Sequence, residues 1–250
     1  MRLTRCYVPP PLAAGETRLL PEQVSTHVAR VLRARAGEAL TLFDGRGGEF
    51  DATIVELGRR GVSVRIDAHH AIERESPLRV TLLQALARAE RMDLIVQKAT
   101  ELGVASIVAW SAGRSVVQLD GAGLARRCEH WRAVAINACE QCGRNQVPPI
   151  VAVNDLASAC AHAATEAAGS AYLRLLLAPE AIQTLPSLLR PASSISLAVG
   201  PEGGFSDEEL ALAQRHGFES CRLGPRVLRA ETAPLAALAA IQALAGDFLQ

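Results

Sequence analysis

The chain has 250 residues, 49% of them hydrophobic, and its 26 Lys plus Arg balance its 26 Asp plus Glu. This composition is typical of a globular protein with a large core, and zero net charge excludes a uniformly basic surface but not a local basic cleft. No apolar run approaches the roughly 20 residues of a membrane span, and the N-terminus lacks the apolar core of a signal peptide, so we expect a cytoplasmic protein with no membrane contact. The six cysteines are then expected to be free thiols.

The N-terminal part of the chain has the pattern of a small β-barrel. Residues 39–43 form an apolar strand pattern, 44–48 are a glycine-rich turn cluster, and 50–57 and 61–68 alternate apolar and polar residues. Short strands joined by tight turns favour a small barrel.

A helix is predicted before these strands, over 23–35, with Val24, Val28, Val31 and Leu32 on one face. Its basic residues form either an ordinary solvated face or an edge that binds phosphates.

The charged stretch 71–77 ends in proline and marks a domain boundary, so we expect domains over 1–72 and 73–250. Strands and helices alternate after it, which predicts an α/β fold with a mostly parallel sheet covered on both faces. The predicted strands are 78–83, 105–110, 172–177, 195–199 and 220–223, and the predicted helices are 88–102, 124–142, 155–168, 207–216 and 231–247.

Residues 195–210 read as a buried strand, a glycine-rich turn and a helix start, with Ser206 and Glu209 at the spacing of a capping box. Such a unit is a common ligand site in α/β proteins. No lysine follows the glycines as a P-loop requires, and Glu202 would repel phosphate, so a neutral or cationic ligand fits better. A purely structural turn explains the glycines equally well.

Two other loops follow predicted strands, after Leu177 and after Leu223. The carboxyl ends of parallel strands lie at one edge of a sheet, so these loops and the glycine loop together predict a pocket.

Residues 137–145 end a predicted helix and contain Cys139 and Cys142. Zinc would require a second cysteine pair, and a redox motif would stand at a helix start, so small buried side chains are the favoured interpretation and no metal is expected. Glu140 and Arg144 are candidate substrate contacts.

Several of these stretches together carry a family pattern. In addition to GPEGGF at 200–205 and LGPRVLRAETA at 223–233, the chain has His27 followed by RVLR at 30–33, FDG at 43–45, QKATELG at 97–103 and ACEQCGR at 138–144. Over nearly its whole length the chain thus resembles the 16S ribosomal RNA (uracil-N3)-methyltransferases of the SPOUT superfamily. Ala230, where threonine is expected, and Pro234 depart from the pattern.

The resemblance implies a PUA-like RNA-binding barrel followed by a SPOUT domain with a trefoil knot. It implies a homodimer that binds S-adenosylmethionine and methylates N3 of a uridine in 16S rRNA of the 30S subunit. The implied cofactor-binding residues are Leu177, Ala178, Pro179, Val199, Gly200, Pro201, Glu202, Gly203, Gly204, Leu223, Gly224, Val227, Leu228, Arg229, Ala230, Thr232 and Ala233.

The residues assigned to catalysis and RNA binding lie outside the three predicted cofactor loops. Arg144 and Arg114 are candidates for holding the negative charge of the uracil or an adjacent phosphate. Glu140 is either the base or a salt-bridge partner of Arg144, and Arg229 and Glu231 are expected to pair. The implied RNA-binding residues are Arg5, His27, Arg30, Arg33, Arg88 and Lys98.

Three alternatives remain open from the sequence. They are a non-catalytic RNA-binding assembly factor, an α/β enzyme that binds nucleotides, and a methyltransferase that acts on a different RNA nucleotide.

Overall fold

The computed structural model describes residues 4–114, 121–166 and 171–248. The chain forms two compact units, one of Met1–Glu75 with Cys139–Val147 and one of Ser76–Ala138 with Pro148–Gln250. The sequence boundary after residue 72 was placed by composition alone, which gives no sign that the segment 139–147 packs with the first unit.

The first unit is built on a five-stranded sheet in the order β1-β3-β4-β5-β2, which is antiparallel except for the β1–β3 pair. The alternation of apolar and polar residues in β4 and β5 places one face of the sheet over a core. The strands are β1 (Arg5–Tyr7), β2 (Thr17–Leu19), β3 (Ala39–Phe43), β4 (Glu49–Gly58) and β5 (Gly61–His70).

The helix predicted over 23–35 is shorter and less regular than expected. It consists of α1 (Glu22–Thr26) and a π-helical turn (His27–Val31). Val28 is buried, but Val31 and Leu32 are 66% and 39% exposed, so placing them on the apolar face was wrong. The wider π-helical turn rotates the residues that follow out of the 3.6-residue repeat on which the prediction rested.

The second unit contains a six-stranded sheet in which every neighbouring pair is parallel, in the order β11-β9-β10-β6-β7-β8. The predicted mostly parallel α/β architecture is therefore confirmed. The strands are β6 (Arg79–Ala85), β7 (Ser106–Trp110), β8 (Ile150–Val153), β9 (Tyr172–Leu177), β10 (Ser194–Val199) and β11 (Glu219–Cys221).

Helices cover both faces of this sheet. On one face, α4 and α6 pack on a cluster that contains Leu83, Trp110 and Phe205. On the other, α7 packs on β6, β10 and α2. The helices that follow β6 in the chain are α2 (Ala89–Glu101), α3 (Gly121–Cys142), α4 (Leu156–Glu166), α5 (Leu185–Leu188), α6 (Asp207–Arg215) and α7 (Thr232–Ala245). The end of α3, from Cys139, belongs to the first unit.

Residues 167 and 168 of the helix predicted over 155–168 lie outside the described part of the chain. Within the described ranges, no helix is both long and apolar enough to cross a membrane.

Candidate active site

Three predicted loops leave the sheet of the second unit from one row of residues. Leu177 at the end of β9 lies in register with Val199 at the end of β10 and with Cys221 at the end of β11. In parallel strands such partners stand side by side with their side chains on the same face. The loops after β9, β10 and β11 therefore begin next to each other at the carboxyl edge.

The loop after β9 is bound along its length to the start of the loop after β11. The Ala178 N–H donates to the Cys221 carbonyl at 2.9 Å, the Arg222 N–H donates to the Gln183 carbonyl at 3.0 Å, and the Leu185 N–H donates to the Arg222 carbonyl at 3.0 Å. These backbone hydrogen bonds join the two loops into one wall of the site.

The glycine loop after β10 needs its glycines for close packing. A Cβ atom on Gly200 would lie 2.9 Å from the ring of Phe205, and one on Gly203 would lie 3.2 Å from Cβ of Arg114. Gly204 has φ of +71°, in the left-handed region that side chains disfavour. The Phe205 ring stacks on Trp110 at 5.9 Å between centroids, which anchors the loop to the core.

The capping box predicted at the start of α6 is confirmed. The Glu209 N–H donates to the Ser206 hydroxyl at 3.1 Å, and Glu209 Oε2 accepts from the Ser206 N–H at 2.8 Å. The other carboxylate oxygen of Glu209 accepts from the Gly113 N–H at 3.1 Å, so the cap also joins the glycine loop to the segment after β7.

Arg114, proposed from the sequence as a catalytic residue, lies against the glycine loop. Its Nη1 donates to the carbonyls of Phe205 at 3.1 Å and Gly203 at 3.4 Å. The residue is exposed, so the guanidinium retains donors that face solvent while it supports the loop.

Arg91 on α2 is a site residue that the sequence analysis did not single out. Its Nη1 contacts Glu202 of the glycine loop at 2.6 Å, and its Nε lies 3.6 Å from Oε2 of Glu231, just before α7. Glu231 thus pairs with Arg91. The pairing of Glu231 with Arg229 that the sequence predicted is wrong. Glu202 lies 111 positions from Arg91, so no local pattern could have revealed the contact.

The loop after β11 contains both buried and exposed residues of the predicted cofactor site. Gly224 has φ of +91°, and Ala230 is buried at 8% exposure, where its methyl group fills less space than the threonine that the family pattern has. Val227, expected at the cofactor, is 77% exposed, and Thr232 begins α7.

Gln84, near the end of β6, adds a polar group to the same row. It is in register with Val199, is fully buried, and its Nε2 donates to the Ala85 carbonyl at 3.0 Å. Among the described residues, its Oε1 has no hydrogen-bond partner.

S-adenosylmethionine fits this set of groups. The ligand is a sulfonium cation and has no phosphate groups. The three loops have backbone groups that a ligand can approach closely, and they have carboxylates, which suit a cation better than a phosphate. The residues of the three loops would hold the cofactor. Charged groups among them include Glu202, in the glycine loop, and Glu231, just before α7.

Arg144 lies in the first unit, where Glu75 holds its guanidinium. Arg144 Nε donates to Glu75 at 3.0 Å, Nη2 pairs with the other carboxylate oxygen, and the arginine side chain is 6% exposed. Burial alone would lower the pKa of Arg144, but the hydrogen bond and charge of Glu75 raise it, so the group stays cationic.

Glu140 accepts a hydrogen bond from the Tyr7 N–H at 2.9 Å. Burial raises the pKa of its carboxyl group, against the opposing effects of that N–H, His27 and Arg5. A raised pKa makes a carboxylate a better proton acceptor near neutral pH.

Arg5 and Arg74 share the carboxylate of Glu49 in the same unit. Arg5 also donates to Asn145, and its side chain, like that of Arg144, is 6% exposed. Burial alone would raise the pKa of Glu49, but hydrogen bonds and charges from Arg74 and Arg5 lower it to about 2.

The other residues expected to bind RNA differ in exposure. His27, Arg30 and Arg33 are exposed around the π-helical turn, and Arg33 has φ of +53°. Arg88 is exposed at the start of α2, while Lys98 pairs with Glu101 at 2.8 Å.

Of the cysteine pair, Cys139 is buried as expected, whereas Cys142 is only partly buried. Burial, the main cause, raises the pKa of Cys139 to about 12, so this thiol is protonated at neutral pH and unreactive. All six cysteines are free, and no cluster of metal-ligating side chains occurs among the described residues.

Comparison with known proteins identifies the family of both parts of the chain. Residues 74–242 match the model of an RNA methyltransferase domain, and residues 20–67 match that of an RNA methyltransferase PUA domain. The ribosomal RNA small subunit methyltransferase E of Mycobacterium bovis is 36% identical over 219 residues, covering 87% of this chain and 83% of the relative. The enzyme of the same name from Bacillus subtilis is 30% identical over 86% of this chain and 85% of its own.

Two solved structures with S-adenosylmethionine bound are similar throughout. A methyltransferase from Legionella pneumophila is 40% identical with a TM-score of 0.91, covering 99% of this chain and 100% of that one. Ribosomal RNA small subunit methyltransferase E from Neisseria gonorrhoeae is 37% identical with a TM-score of 0.88, with the same coverage. This chain therefore belongs to the family of RNA methyltransferases that includes the ribosomal RNA small subunit methyltransferases E.

Proposed function

We propose that this protein transfers a methyl group from S-adenosylmethionine to N3 of one uridine in the 16S rRNA of the small ribosomal subunit. The observation that carries the proposal is the row of Leu177, Val199 and Cys221, which brings three loops together at one sheet edge. Two relatives of the same fold bind this cofactor, and named relatives act on small-subunit rRNA, which supports both halves of the proposal.

The cofactor, when bound, supplies an electrophilic methyl group on a sulfonium. The protein has to hold uracil N3 in line with that methyl group, and alignment of this kind lowers a barrier by several kcal/mol, on the order of 7–11 at best. The N3 proton has to leave as the new N–C bond forms, because N3 otherwise has no electron pair free for the methyl carbon. Charge that spreads to the uracil oxygens requires hydrogen-bond donors.

We assign these roles to the residues named from the sequence, with supporting features from the structure. Arg114 is exposed beside the glycine loop and retains donors for the uracil or its phosphate. Glu140 has the raised pKa that suits a proton acceptor. Arg144 is cationic, and its pairing with Glu75 sets the orientation of its guanidinium.

The partners follow from the same proposal. His27, Arg30 and Arg33 form the RNA-binding edge of the first unit, because all three are exposed on one short stretch and the two arginines are cations. Arg88 and Lys98 add to RNA binding from α2. The protein acts in the cytoplasm as a homodimer, and the trefoil knot remains a prediction of the family resemblance.

Mapping the methylated nucleotide tests the function. Purified protein, labelled S-adenosylmethionine and 30S subunits that lack the modification should yield one 3-methyluridine per 16S rRNA, located by mass spectrometry of nuclease fragments. A Gly203→Val protein is the matched control, because its side chain would collide with Arg114 and distort the cofactor loop.

Other outcomes identify the alternatives. Label on a different nucleotide would replace the uridine assignment with another RNA specificity. Binding of 30S subunits without any transfer would indicate an assembly factor. No binding of S-adenosylmethionine by calorimetry would remove the methyltransferase proposal altogether.

A further inference from the structure

Gln84 has a buried acceptor that the protein itself does not use. The residue is fully buried near the end of β6, and its Oε1 has no hydrogen-bond partner among the described residues. The orientation of the amide is fixed, because the Ala85 carbonyl can only accept and therefore has to face Nε2, at 3.0 Å. A buried acceptor left unpaired is costly, so its presence at a candidate site needs an explanation.

The sheet register places Gln84 in the same row as the residues from which two of the proposed cofactor loops begin. Gln84 is in register with Val199, which is in register with Leu177, so the three side chains stand in one row on one face. Val199 and Leu177 each lead into a cofactor loop. Val199 and Leu177 are apolar, so Gln84 is the polar member of these three.

Helix α7 shows that the third loop covers the same face. Gln242, near the end of α7, contacts Ser76 just before β6 at 2.9 Å, so the C-terminus of α7 lies at the amino edge of the sheet. Because α7 packs on β6 and β10, its first residue Thr232 lies about 15 Å further along, toward the carboxyl edge. The loop that precedes Thr232 therefore reaches the sheet on the face that bears Gln84.

We propose that Gln84 is a cofactor-binding residue whose Oε1 accepts a hydrogen bond from a donor group of bound S-adenosylmethionine. The cofactor carries such donors on its adenine amine, its ribose hydroxyls and its ammonium group. This assignment rests on the proposed function, and it adds a residue of β6 to a site otherwise made of the loops after β9, β10 and β11.

Replacement of Gln84 by methionine tests the assignment, because methionine is also unbranched and similar in size but accepts hydrogen bonds only weakly. The unliganded Gln84→Met protein should unfold at nearly the temperature of the wild type, since the lost bond to Ala85 is offset by removal of an unpaired acceptor. Its affinity for S-adenosylmethionine by calorimetry should fall about tenfold, because bound ligand would place a donor against an apolar group.

Thr81→Val on the same strand is the matched control. Thr81 lies at the amino edge, where its hydroxyl accepts from Ser106 at 3.1 Å. Loss of this contact should lower the unfolding temperature without changing the affinity for S-adenosylmethionine. If Gln84 had only a structural role, Gln84→Met would likewise lower the unfolding temperature and leave the affinity for S-adenosylmethionine unchanged.

Ligand fragments locate the donor. A loss of affinity for S-adenosylmethionine and S-adenosylhomocysteine but not for 5′-methylthioadenosine would place the donor on the ammonium group, and a loss for all three would place it on the adenosine. If Gln84→Met binds S-adenosylmethionine within twofold of the wild type, the inference is wrong while the proposed function stands. Failure of the wild type to bind would remove the proposed function itself.

Discussion

Arg91 links the glycine loop to the loop after β11 through Glu202 and Glu231, and its removal should loosen both of these proposed cofactor loops. A partly exposed ion pair contributes about 0.5–1 kcal/mol, so Arg91→Ala should weaken S-adenosylmethionine binding about two- to fivefold by calorimetry. Arg91→Lys should recover only part of this loss, because an ammonium group lacks the separate Nε and Nη donors that reach the two carboxylates.

A double-mutant cycle separates this link from a general effect of charge. Glu202→Gln should cost little further affinity in the Arg91→Ala protein, since the pair is already broken. Arg190→Ala is the control, because it removes an ion pair of 2.8 Å with Glu219 that involves none of the cofactor-loop carboxylates. Fully additive losses at positions 91 and 202 would contradict the link.

Arg144→Ala should abolish most methyl transfer to 30S subunits and leave the affinity for S-adenosylmethionine nearly intact. The substitution also leaves Glu75 without its partner, so the free energy of unfolding has to be measured beside turnover. Glu75→Gln is the companion variant, because it weakens the ion pair but keeps the guanidinium. Equal turnover of folded Arg144→Ala and wild type would exclude Arg144 from the mechanism.

At the scale of single residues, the sequence does not predict which charged groups pair with each other. Glu202 was correctly recognised as a carboxylate inside the glycine loop, but its partner is distant in the chain. The same holds for Arg144, whose partner Glu75 lies 69 positions away, whereas the sequence suggested its near neighbour Glu140. Pairing of charges is decided by tertiary packing, which a linear pattern does not contain.

At the scale of elements, the N-cap of α6 connects helix stability to the cofactor loop. Ser206→Ala removes the hydroxyl that accepts from the Glu209 N–H, and loss of such a cap costs about 1 kcal/mol. We expect a decrease of about that size in the free energy of urea unfolding. Ser206→Asp should restore the stability, because a carboxylate also accepts at this position; a decrease as large as that of alanine would show that the cap is not the cause.

Local chemistry explains which elements the sequence could predict. Residues 39–43 and 172–177 were predicted with their final bounds, because a short apolar run between turn residues is a local signal. The capping box needs only two residues three positions apart, and it too was found. The short strands β1, β2 and β8 were not predicted from the sequence.

At the scale of the whole molecule, alternation of strands and helices was sufficient to predict a parallel sheet with three loops leaving from one edge. It could not give the strand order, in which β9 lies between β10 and β11. That order aligns the three loops, and it depends on long-range pairing that no local pattern encodes. Residues 139–147 pack with the first unit although they are distant from it in the chain, and no local pattern encodes that packing either.

The oligomeric state provides a prediction for the complete protein. Leu244 and Phe248, at the end of α7 and just beyond it, are 56% and 51% exposed, which makes them candidates for a protein contact. We expect sedimentation at twice the 26.5 kDa of the chain. Leu244→Glu should shift the protein toward the monomer, whereas Val55→Glu in β4, also at an exposed apolar position, should not.

Activity measured on the same variants tells whether the dimer matters for catalysis. If the second subunit completes the active site, Leu244→Glu should lose methyl transfer in proportion to its loss of dimer, and raising the protein concentration should restore both by mass action. Val55→Glu should remain active at every concentration. A wild-type protein that sediments as a monomer at the concentration where it methylates 30S subunits would overturn the dimer and leave catalysis to a single chain.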